Sequence, residues 1–222
     1  MTKPPKKILL GLIGGGIQQS LTPAMQEEEG RHHGLAVHYQ LIDCNETGFG
    51  VEQLSALLQS AQQMGFAGVN VTHPFKQAVI PLLDEVADEA RLIGAVNTVV
   101  FHQGRKIGHN TDCMGFARAF TQAFAVQPMA HVVQFGAGGA GAAVAHAALR
   151  AGVECLTLID PDTARRDALV TDLLRAYGNS RVRAAGAAAD AVLRAQGIIN
   201  ATPLGMASYP GMALPATLLR PD

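Results

Sequence analysis

The chain has 222 residues, 48% hydrophobic and 16% charged, a composition typical of globular proteins that bury one large core or two modest ones. Its net charge of −1 gives no field that would attract nucleic acid or an anionic membrane, so we expect a small neutral or anionic ligand in a pocket. The three cysteines, Cys44, Cys113 and Cys155, form no CxxC pair or Cys/His cluster, so neither a disulfide framework nor a zinc site is implied. A reducing cytoplasm fits this pattern.

The first apolar segment, residues 8–13, follows a basic stretch at residues 3–7, an order also found in secretory signals. Gly11 and the glycines at 14–16 interrupt the segment, however, and no small-residue cleavage pattern follows. It therefore predicts a buried first strand over residues 9–13. No apolar run in the chain reaches the ~20 residues that a membrane-spanning helix needs.

Strand and helix patterns alternate through the first half of the chain, which predicts a mostly parallel sheet covered by helices. Strands are predicted over residues 9–13, 37–42 and 67–71, and helices over residues 22–30, 51–64 and 77–92. Thr22 and Pro23 suit the N-cap and the first position of their helix. Residues 102–105 have the composition of a hairpin turn between strands at 97–101 and 106–108.

A second series of strands and helices begins at His131 and is typical of consecutive βαβ units. Strands are predicted over residues 132–135, 155–159, 182–185 and 197–200, and helices up to residue 151 and over residues 163–177 and 214–219, with a loop and short helix at 184–191. A helix over residues 112–124, with Asp112 as its N-cap, links the two series. We therefore predict an α/β domain over residues 1–110 and a second domain over residues 111–222.

A glycine-rich turn follows the strand at 132–135 and opens the next helix. Gly136, Gly138 and Gly141 form a GxGxxG pattern, in which the glycines allow a tight turn, close approach of a pyrophosphate and close packing of helix on strand. A glycine-rich turn that binds nothing is the alternative. The flanking strand and helix favour a Rossmann-like domain that binds a dinucleotide.

Asp160 ends the next strand, 24 residues after Gly136, near the offset of ~20 residues expected for the carboxylate that bonds the adenosine ribose. A carboxylate at this place repels a 2′-phosphate, so Asp160 and Asp162 favour NAD. Arg165 and Arg166 follow within the next helical turn and would tolerate the phosphate of NADP. NAD is the predicted cofactor, with NADP as the alternative.

Six short segments resemble, in order and spacing, the signature segments of the shikimate dehydrogenases. They are SLTP at residues 20–23, NVTHPFK at 70–76, GAVNT at 94–98, NTD at 110–112, GAGGA at 136–140 and NATPLGM at 200–206. Together they extend over nearly the whole chain. The resemblance implies an N-terminal α/β substrate domain and a C-terminal Rossmann-like dinucleotide-binding domain.

The resemblance also implies a reaction, the reversible oxidation of the C3 hydroxyl of shikimate to 3-dehydroshikimate. It would serve the chorismate pathway of aromatic amino-acid biosynthesis or the catabolic quinate branch, in a monomer or homodimer. The implied catalytic pair is Lys76 and Asp112, and the implied substrate-binding residues are Ser20, Thr22, Thr72, Asn97 and Asp112. The implied cofactor-binding residues are Gly136, Ala137, Gly138, Gly139, Ala140, Asp160, Arg165, Thr202 and Met206.

Physical chemistry supports these roles without deciding between the two catalytic groups. A ring with several hydroxyls needs short polar side chains around it, because each unpaired buried hydroxyl would cost ~1–3 kcal/mol. Lys76 can exchange a proton with the reacting oxygen while Asp112 holds Lys76 and bonds a neighbouring hydroxyl. By itself, Lys76 could be a surface lysine at a helix start, and Asp112 a helix cap. The histidines show no metal-ligand spacing, so no metal site is predicted.

The chain departs from the commoner biosynthetic members at three places. Thr22 stands where these carry serine, and Asp160 to Asp162 stand where NADP-using members carry an Asn-Arg-Thr segment. Both features resemble the NAD-preferring quinate/shikimate dehydrogenase branch, which implies quinate as a further substrate. Gln26 also replaces a residue that is usually histidine.

The chain ends at Asp222, whereas members of the family continue for several dozen residues with another strand, a glycine near the nicotinamide and a glutamine that bonds the substrate. We therefore expect either an incomplete chain or a shortened paralogue. The alternative function is then a non-catalytic ligand-binding or regulatory module. A methylenetetrahydrofolate dehydrogenase, which also uses a lysine and an aspartate, is a weaker alternative because the ordered SLTP to NTD set argues against it.

Overall fold

The computed structural model describes residues 5–124, 129–206 and 209–219. The chain divides into two compact units, Met1–Thr111 and Asp112–Asp222. Each contains one β-sheet with helices packed on it, which confirms the predicted α/β class. In the described part of the chain, no helix combines the length and hydropathy needed to span a bilayer. Residues 3 and 4 of the basic N-terminal stretch lie outside the described residues.

The first unit is built on a six-stranded sheet with four α-helices. Its strands are β1 (Lys6–Gly14), β2 (Leu35–Asp43), β3 (Phe66–Val71), β4 (Glu85–Val86), β5 (Thr98–His102) and β6 (Arg105–His109). Its α-helices are α1 (Thr22–His32), α2 (Cys44–Thr47), α3 (Leu54–Gln63) and α4 (Asp88–Ile93), with 3₁₀ turns at Val51–Gln53 and Ile80–Leu82. The predicted strands are all present, within a few residues of their predicted ends.

The strand order is β2-β1-β3-β5-β6-β4, with only β5 running against its neighbours. The carboxyl ends of β1, β2, β3 and β6 therefore lie at one edge of the sheet, together with the start of β5. One face of the sheet carries the main core, in which Ile13 and Val71 pack with Leu54 and Leu58 of α3. The other face carries a smaller cluster that includes Leu12 and Tyr39. Loops at the shared edge are thus held on a rigid base.

The predicted helix over residues 77–92 is wrong. The chain forms a 3₁₀ turn, the short strand β4 and then α4. Pro81 lies inside the predicted helix, and Asp84 is drawn to the sheet, where its N–H donates to the Lys106 carbonyl at 3.0 Å and its carboxylate accepts the Lys106 N–H at 2.7 Å. Pairing of β4 with β6 replaces helical hydrogen bonds there.

Two helix ends also differ from the predictions. Thr22 is the first residue of α1 rather than its N-cap, and Ser20 Oγ accepts the Thr22 N–H at 3.2 Å. The predicted helix over residues 214–219 is only a 3₁₀ turn, Ala216–Leu218, which begins directly after Pro215. The predicted hairpin turn is confirmed, because Gln103 and Gly104 join β5 to β6 with φ angles of 49° and 77°.

The second unit is built on a four-stranded parallel sheet. Its strands are β7 (His131–Phe135), β8 (Cys155–Ile159), β9 (Val182–Ala184) and β10 (Gly197–Asn200). Its helices are α5 (Asp112–Phe124), α6 (Gly139–Arg150), α7 (Thr163–Tyr177) and α8 (Ala188–Leu193). The order is β10-β7-β8-β9, so all four strands run in the same direction, but the order in which strands are added to the sheet reverses between β7 and β10. Ligands of open parallel sheets bind beyond the carboxyl ends of the strands at such a reversal, and the glycine turn lies there.

Candidate functional site

Asn97 is the centre of a polar network at the carboxyl edge of the first sheet. Its Oδ1 accepts the Thr111 N–H at 3.0 Å and the Thr98 hydroxyl at 2.9 Å, and its Nδ2 donates to the Thr111 hydroxyl at 2.9 Å. Asn97 is buried, with 8% of its surface exposed. Because a side-chain amide holds the backbone of Thr111, the position of the NTD segment is tied to β5.

Asn70 joins this network at the end of β3. Its Nδ2 donates to Thr98 Oγ1 at 3.0 Å and to the Asn97 carbonyl at 3.3 Å, and its Oδ1 accepts the Tyr39 hydroxyl at 2.7 Å. Burial raises the pKa of Tyr39, so this hydroxyl remains a donor. These three hydrogen bonds are consistent with one assignment of the oxygen and nitrogen atoms in the Asn70 side-chain amide.

A cavity of about 230 Å³ opens beside this network. Its lining comes from Leu10, Gln26, Gly68, Val69, Asn70, Thr98, Val99, Val100 and Thr111. Polar groups of the network therefore face a cavity whose other walls are mainly apolar. The lining includes none of the predicted substrate-binding or catalytic residues, so this cavity is not assigned to the substrate.

Ser20 and Thr22 form a second polar group after the end of β1. Their hydroxyls are hydrogen-bonded at 3.0 Å. The loop before them is fixed by Asp43, a buried carboxylate at the end of β2 that accepts the N–H groups of Gly16 at 2.9 Å and Ile17 at 2.8 Å. The loop then closes with a bond from the Ser20 N–H to the Ile17 carbonyl at 2.9 Å.

The charge of Asp43 depends on these contacts. Burial by itself would raise the pKa of the Asp43 carboxyl, but the N–H groups of Asn45, Gly16 and Ile17 outweigh burial and hold the pKa below its ordinary value. The carboxylate is therefore ionised at neutral pH and supports the loop that carries Ser20.

Thr72 and Lys76 lie in the segment that follows β3. The Thr72 N–H donates to the Ile13 carbonyl at 2.9 Å, and its methyl group occupies the place that a side chain at Gly14 would need. The backbone carbonyl of Lys76 accepts the Val96 N–H at 2.8 Å. Because Val96 directly precedes Asn97, this bond holds the backbone of Lys76 close to Asn97.

Asp112 is the first residue of the second unit and of α5. It directly follows Thr111, whose N–H and hydroxyl are both held by Asn97. The backbone that leads into Asp112 is therefore fixed within the first unit.

The three glycines of the motif in the second unit differ in whether the structure has room for a side chain at their position. A side chain at Gly136 would approach the Ala201 carbonyl oxygen to 2.7 Å, and its φ of 99° also favours glycine. A side chain at Gly141 would approach the Gly136 carbonyl oxygen to 2.3 Å. A side chain at Gly138 would meet nothing within 4 Å.

Gly138 therefore has no packing reason to be glycine, and the space above it is open. It precedes Gly139, the first residue of α6, with Ala140 next in the first turn. The first N–H groups of a helix lack partners within the helix and attract anions. This cradle fits the pyrophosphate of a dinucleotide.

Asp160 lies beside the turn, at the end of β8. Its Oδ2 accepts the Ala137 N–H at 2.7 Å, and its Oδ1 accepts the Asp162 N–H at 2.9 Å and the Arg165 guanidinium at 2.7 Å. Burial would raise the pKa of this carboxyl, but the Arg165 bond and the two N–H groups outweigh burial and lower the pKa. A carboxylate has about four acceptor positions, so three of them are occupied here, and the side chain of Asp160 is 3% exposed.

The loop after β10 lies against the same turn. The Ala201 N–H donates to the Phe135 carbonyl at 2.8 Å. Thr202 is held by Asn200, whose Oδ1 accepts the Thr202 hydroxyl at 2.6 Å and N–H at 3.0 Å. Met206 lies at the far end of this loop and is 55% exposed. Thr202 is therefore close to the glycine turn, and Met206 projects from a loop that begins beside it.

Sequence reasoning missed four residues that organise these sites. They are Tyr39, Asp43, Asn70 and Gln134. Asn70 begins the NVTHPFK segment, so its place in that motif was an available signal. The other three lie in strands and make contacts that only the sheet register reveals. In the part of the chain that the structure describes, no three His, Cys, Asp or Glu side chains are grouped closely enough to hold a metal ion.

Comparison with known proteins gives a family match. Residues 12–99 match the family model described as the shikimate dehydrogenase substrate binding domain. The chain is 49% identical to a shikimate dehydrogenase (NADP(+)) of Streptomyces avermitilis, over 96% of the chain and 74% of the relative. It is 46% identical to a quinate/shikimate dehydrogenase (NAD(+)) of Corynebacterium efficiens, over 96% of the chain and 76% of the relative.

A solved structure shows the same fold. The structure of quinate dehydrogenase from Corynebacterium glutamicum in complex with NAD superposes with a TM-score of 0.86 at 44% identity. The match covers 96% of the chain and 77% of that protein. The predicted fold class is thereby confirmed.

Proposed function

The chain belongs to the shikimate dehydrogenase family, and we propose that it catalyses the reversible oxidation of the C3 hydroxyl of shikimate to 3-dehydroshikimate with NAD. Quinate is the second substrate in this proposal. The supporting observation is the 45–49% identity, over at least 96% of the chain, with relatives named for these reactions.

Substrate recognition is assigned to the first unit. We propose that Ser20, Thr22, Thr72 and Asn97 bond the ring hydroxyls and carboxylate. The hydroxyl pair of Ser20 and Thr22 and the amide of Asn97 are held by their own neighbours before any ligand arrives. Little side-chain conformational entropy is then lost when the substrate binds.

Proton transfer is assigned to Lys76 and Asp112. Lys76 takes the proton of the C3 hydroxyl during oxidation and returns it to the oxygen during reduction. Asp112 holds Lys76 in place and bonds a neighbouring hydroxyl. Two consecutive residues support this assignment. The Val96 N–H bonds the backbone carbonyl of Lys76, and the Asn97 side chain bonds the backbone of the residue before Asp112.

Cofactor binding is assigned to the second unit. The glycine turn from Gly136 to Ala140 would hold the pyrophosphate, with Thr202 and Met206 of the neighbouring loop beside it. Asp160 would accept a hydroxyl of the adenosine ribose, and its pairing with Arg165 favours NAD, because Arg165 is then engaged by a carboxylate rather than by a 2′-phosphate. When bound, NAD supplies the acceptor for the hydride that leaves C3.

The cellular setting is also a proposal. We place the enzyme in the cytoplasm, as a monomer or homodimer in the chorismate pathway or its quinate branch. All three cysteines are free thiols, which suits a reducing compartment.

A four-way assay tests this function. Absorbance of reduced nicotinamide is followed with shikimate or quinate, each with NAD or NADP. We expect activity with shikimate and NAD and a weaker response with NADP. Binding of shikimate without turnover in any combination would favour a non-catalytic ligand-binding paralogue instead.

A further inference from the structure

Gln134 is a fully buried polar side chain in β7, two residues before the first motif glycine. Its neighbours Val133 and Phe135 pack with α8 on one face of the sheet, so Gln134 points to the opposite face. There its Nε2 donates to the carbonyl oxygens of Gly136 at 2.9 Å and Gly141 at 2.8 Å. A single neutral nitrogen with two hydrogens thus joins the first and third glycines of the motif.

The peptide unit between Gly136 and Ala137 is held from both sides. Gln134 binds its carbonyl oxygen, and Asp160 accepts its N–H at 2.7 Å. A planar trans peptide presents these two groups in opposite directions, so the two bonds together prevent the unit from rotating. The orientation of the turn is therefore coupled to the carboxylate at the end of β8.

The other end of the Gln134 side chain contributes no hydrogen bond to the part of the chain that the structure describes. Its Oε1 has no hydrogen-bond partner among the described residues, although it is buried. An unpaired buried carbonyl is unfavourable. An apolar side chain of similar size would avoid it but would leave the carbonyl oxygens of Gly136 and Gly141 without this donor. The two bonds to the turn are the compensating interactions.

We infer that Gln134 is a positioning residue for the cofactor, which fixes the Gly136 to Ala137 peptide so that the turn and Asp160 are in register for a dinucleotide. The cofactor part of this inference rests on the proposed function. Gln134 acts through the backbone and does not itself touch the reacting atoms.

The test uses Gln134→Met, which keeps an unbranched side chain of similar length but has no donor. Thr157→Val is the matched control, because Thr157 is a buried polar residue of the same sheet whose hydroxyl bonds His131 at 2.8 Å, away from the turn. Amide hydrogen exchange at Ala137 is measured without cofactor, and NADH affinity is measured by titration. Turnover is measured at saturating NADH or NAD.

For Gln134→Met we expect exchange at Ala137 to rise and the Kd for NADH to increase on the order of 10-fold, while the KM for shikimate stays near the wild-type value. Thr157→Val should leave all three unchanged. Wild-type exchange and affinity in Gln134→Met would overturn the inference, as would an equal loss of affinity in both variants. Faster exchange at Ala137 in a protein whose wild type binds no NADH would support the role in the turn and overturn the proposed function.

Gln134→Leu is the second variant if Gln134→Met fails to fold. If neither folds while Thr157→Val does, Gln134 is needed for folding itself and the positioning role is wrong.

Discussion

The side chain of Asn97 holds the backbone of Thr111, accepting its N–H at 3.0 Å and donating to its hydroxyl at 2.9 Å. Thr111 directly precedes Asp112, and the residue before Asn97 holds the backbone of Lys76. One short segment therefore supports both proposed catalytic residues.

Removal of this support should affect stability and activity together. Asn97→Ala leaves the Thr111 N–H without its buried acceptor, so we expect a loss of ~1–3 kcal/mol in the free energy of unfolding and a large fall in kcat/KM. Thr111→Val removes only the hydroxyl contacts and should cost ~1 kcal/mol. Urea unfolding and steady-state kinetics measure both. An Asn97→Ala enzyme with wild-type kinetics would contradict the role of this contact.

Alanine substitutions at Gly138 and Gly141 should distinguish an effect on NADH binding from an effect on the stability of the fold. Gly138→Ala places a methyl group in open space, so the free energy of unfolding should fall by less than ~1 kcal/mol while NADH binding weakens by at least ~10-fold. Gly141→Ala collides with the Gly136 carbonyl and should destabilise the fold by ~1–3 kcal/mol. Thermal unfolding and NADH titration of both variants test this. Unchanged affinity in Gly138→Ala would argue against a pyrophosphate at the turn.

Asp160 should control the choice between NAD and NADP. Asp160→Asn keeps the shape of the side chain but removes the charge that engages Arg165, so the ratio of kcat/KM for NAD over NADP should fall by ~10–100-fold. The ratio corrects for any general damage to the fold. Asp172→Asn, further along α7 and paired with Arg175, is the control and should keep the ratio. A ratio that stays constant in Asp160→Asn would assign cofactor choice to other residues.

Asp43 should make the loop before Ser20 sensitive to acid. Its folded-state pKa is lower than the ordinary value of ~3.9, so its contribution to stability is present above that value and is lost as the pH falls through the folded-state pKa. Asp43→Asn should lower the melting temperature at pH ~7 and raise the KM for shikimate. The difference in melting temperature should shrink as the pH falls through the folded-state pKa, because the wild type is then also protonated.

The matched control is Asp84→Asn in the loop before β4. The Lys106 N–H lowers the pKa of Asp84 too, but Asp84 lies outside the proposed site, so the KM for shikimate should not change. A KM that is unaffected in Asp43→Asn would show that the loop does not depend on this carboxylate.

Local patterns predicted the second unit closely. The strand Cys155–Ile159 and the helix Thr163–Tyr177 have the predicted bounds, because the residue pattern of each element is a local signal. The glycine turn and Asp160 were also predicted, since their spacing along the chain reflects one βαβ unit.

Long-range contacts explain what the sequence did not reveal. Residues 77–92 have a helical pattern, but the pairing of β4 with β6 overrides it. Tyr39 meets Asn70 across 31 positions of sequence, and Asp43 meets Gly16 across 27, so no local pattern could indicate these contacts. From the sequence, Gln134 is only one residue of a predicted strand. Its bonds to the glycine turn become evident only when the face of the sheet to which it points is known.

The most direct test of the account is the turnover number of Lys76→Ala with shikimate and NAD, followed by absorbance of reduced nicotinamide. We expect kcat to fall ~10²–10⁴-fold, because the proton acceptor is removed, while NADH affinity and the melting temperature stay near wild type. Lys7→Ala, at the exposed start of β1, should retain full activity. A Lys76→Ala enzyme with wild-type kcat would contradict the proposed mechanism.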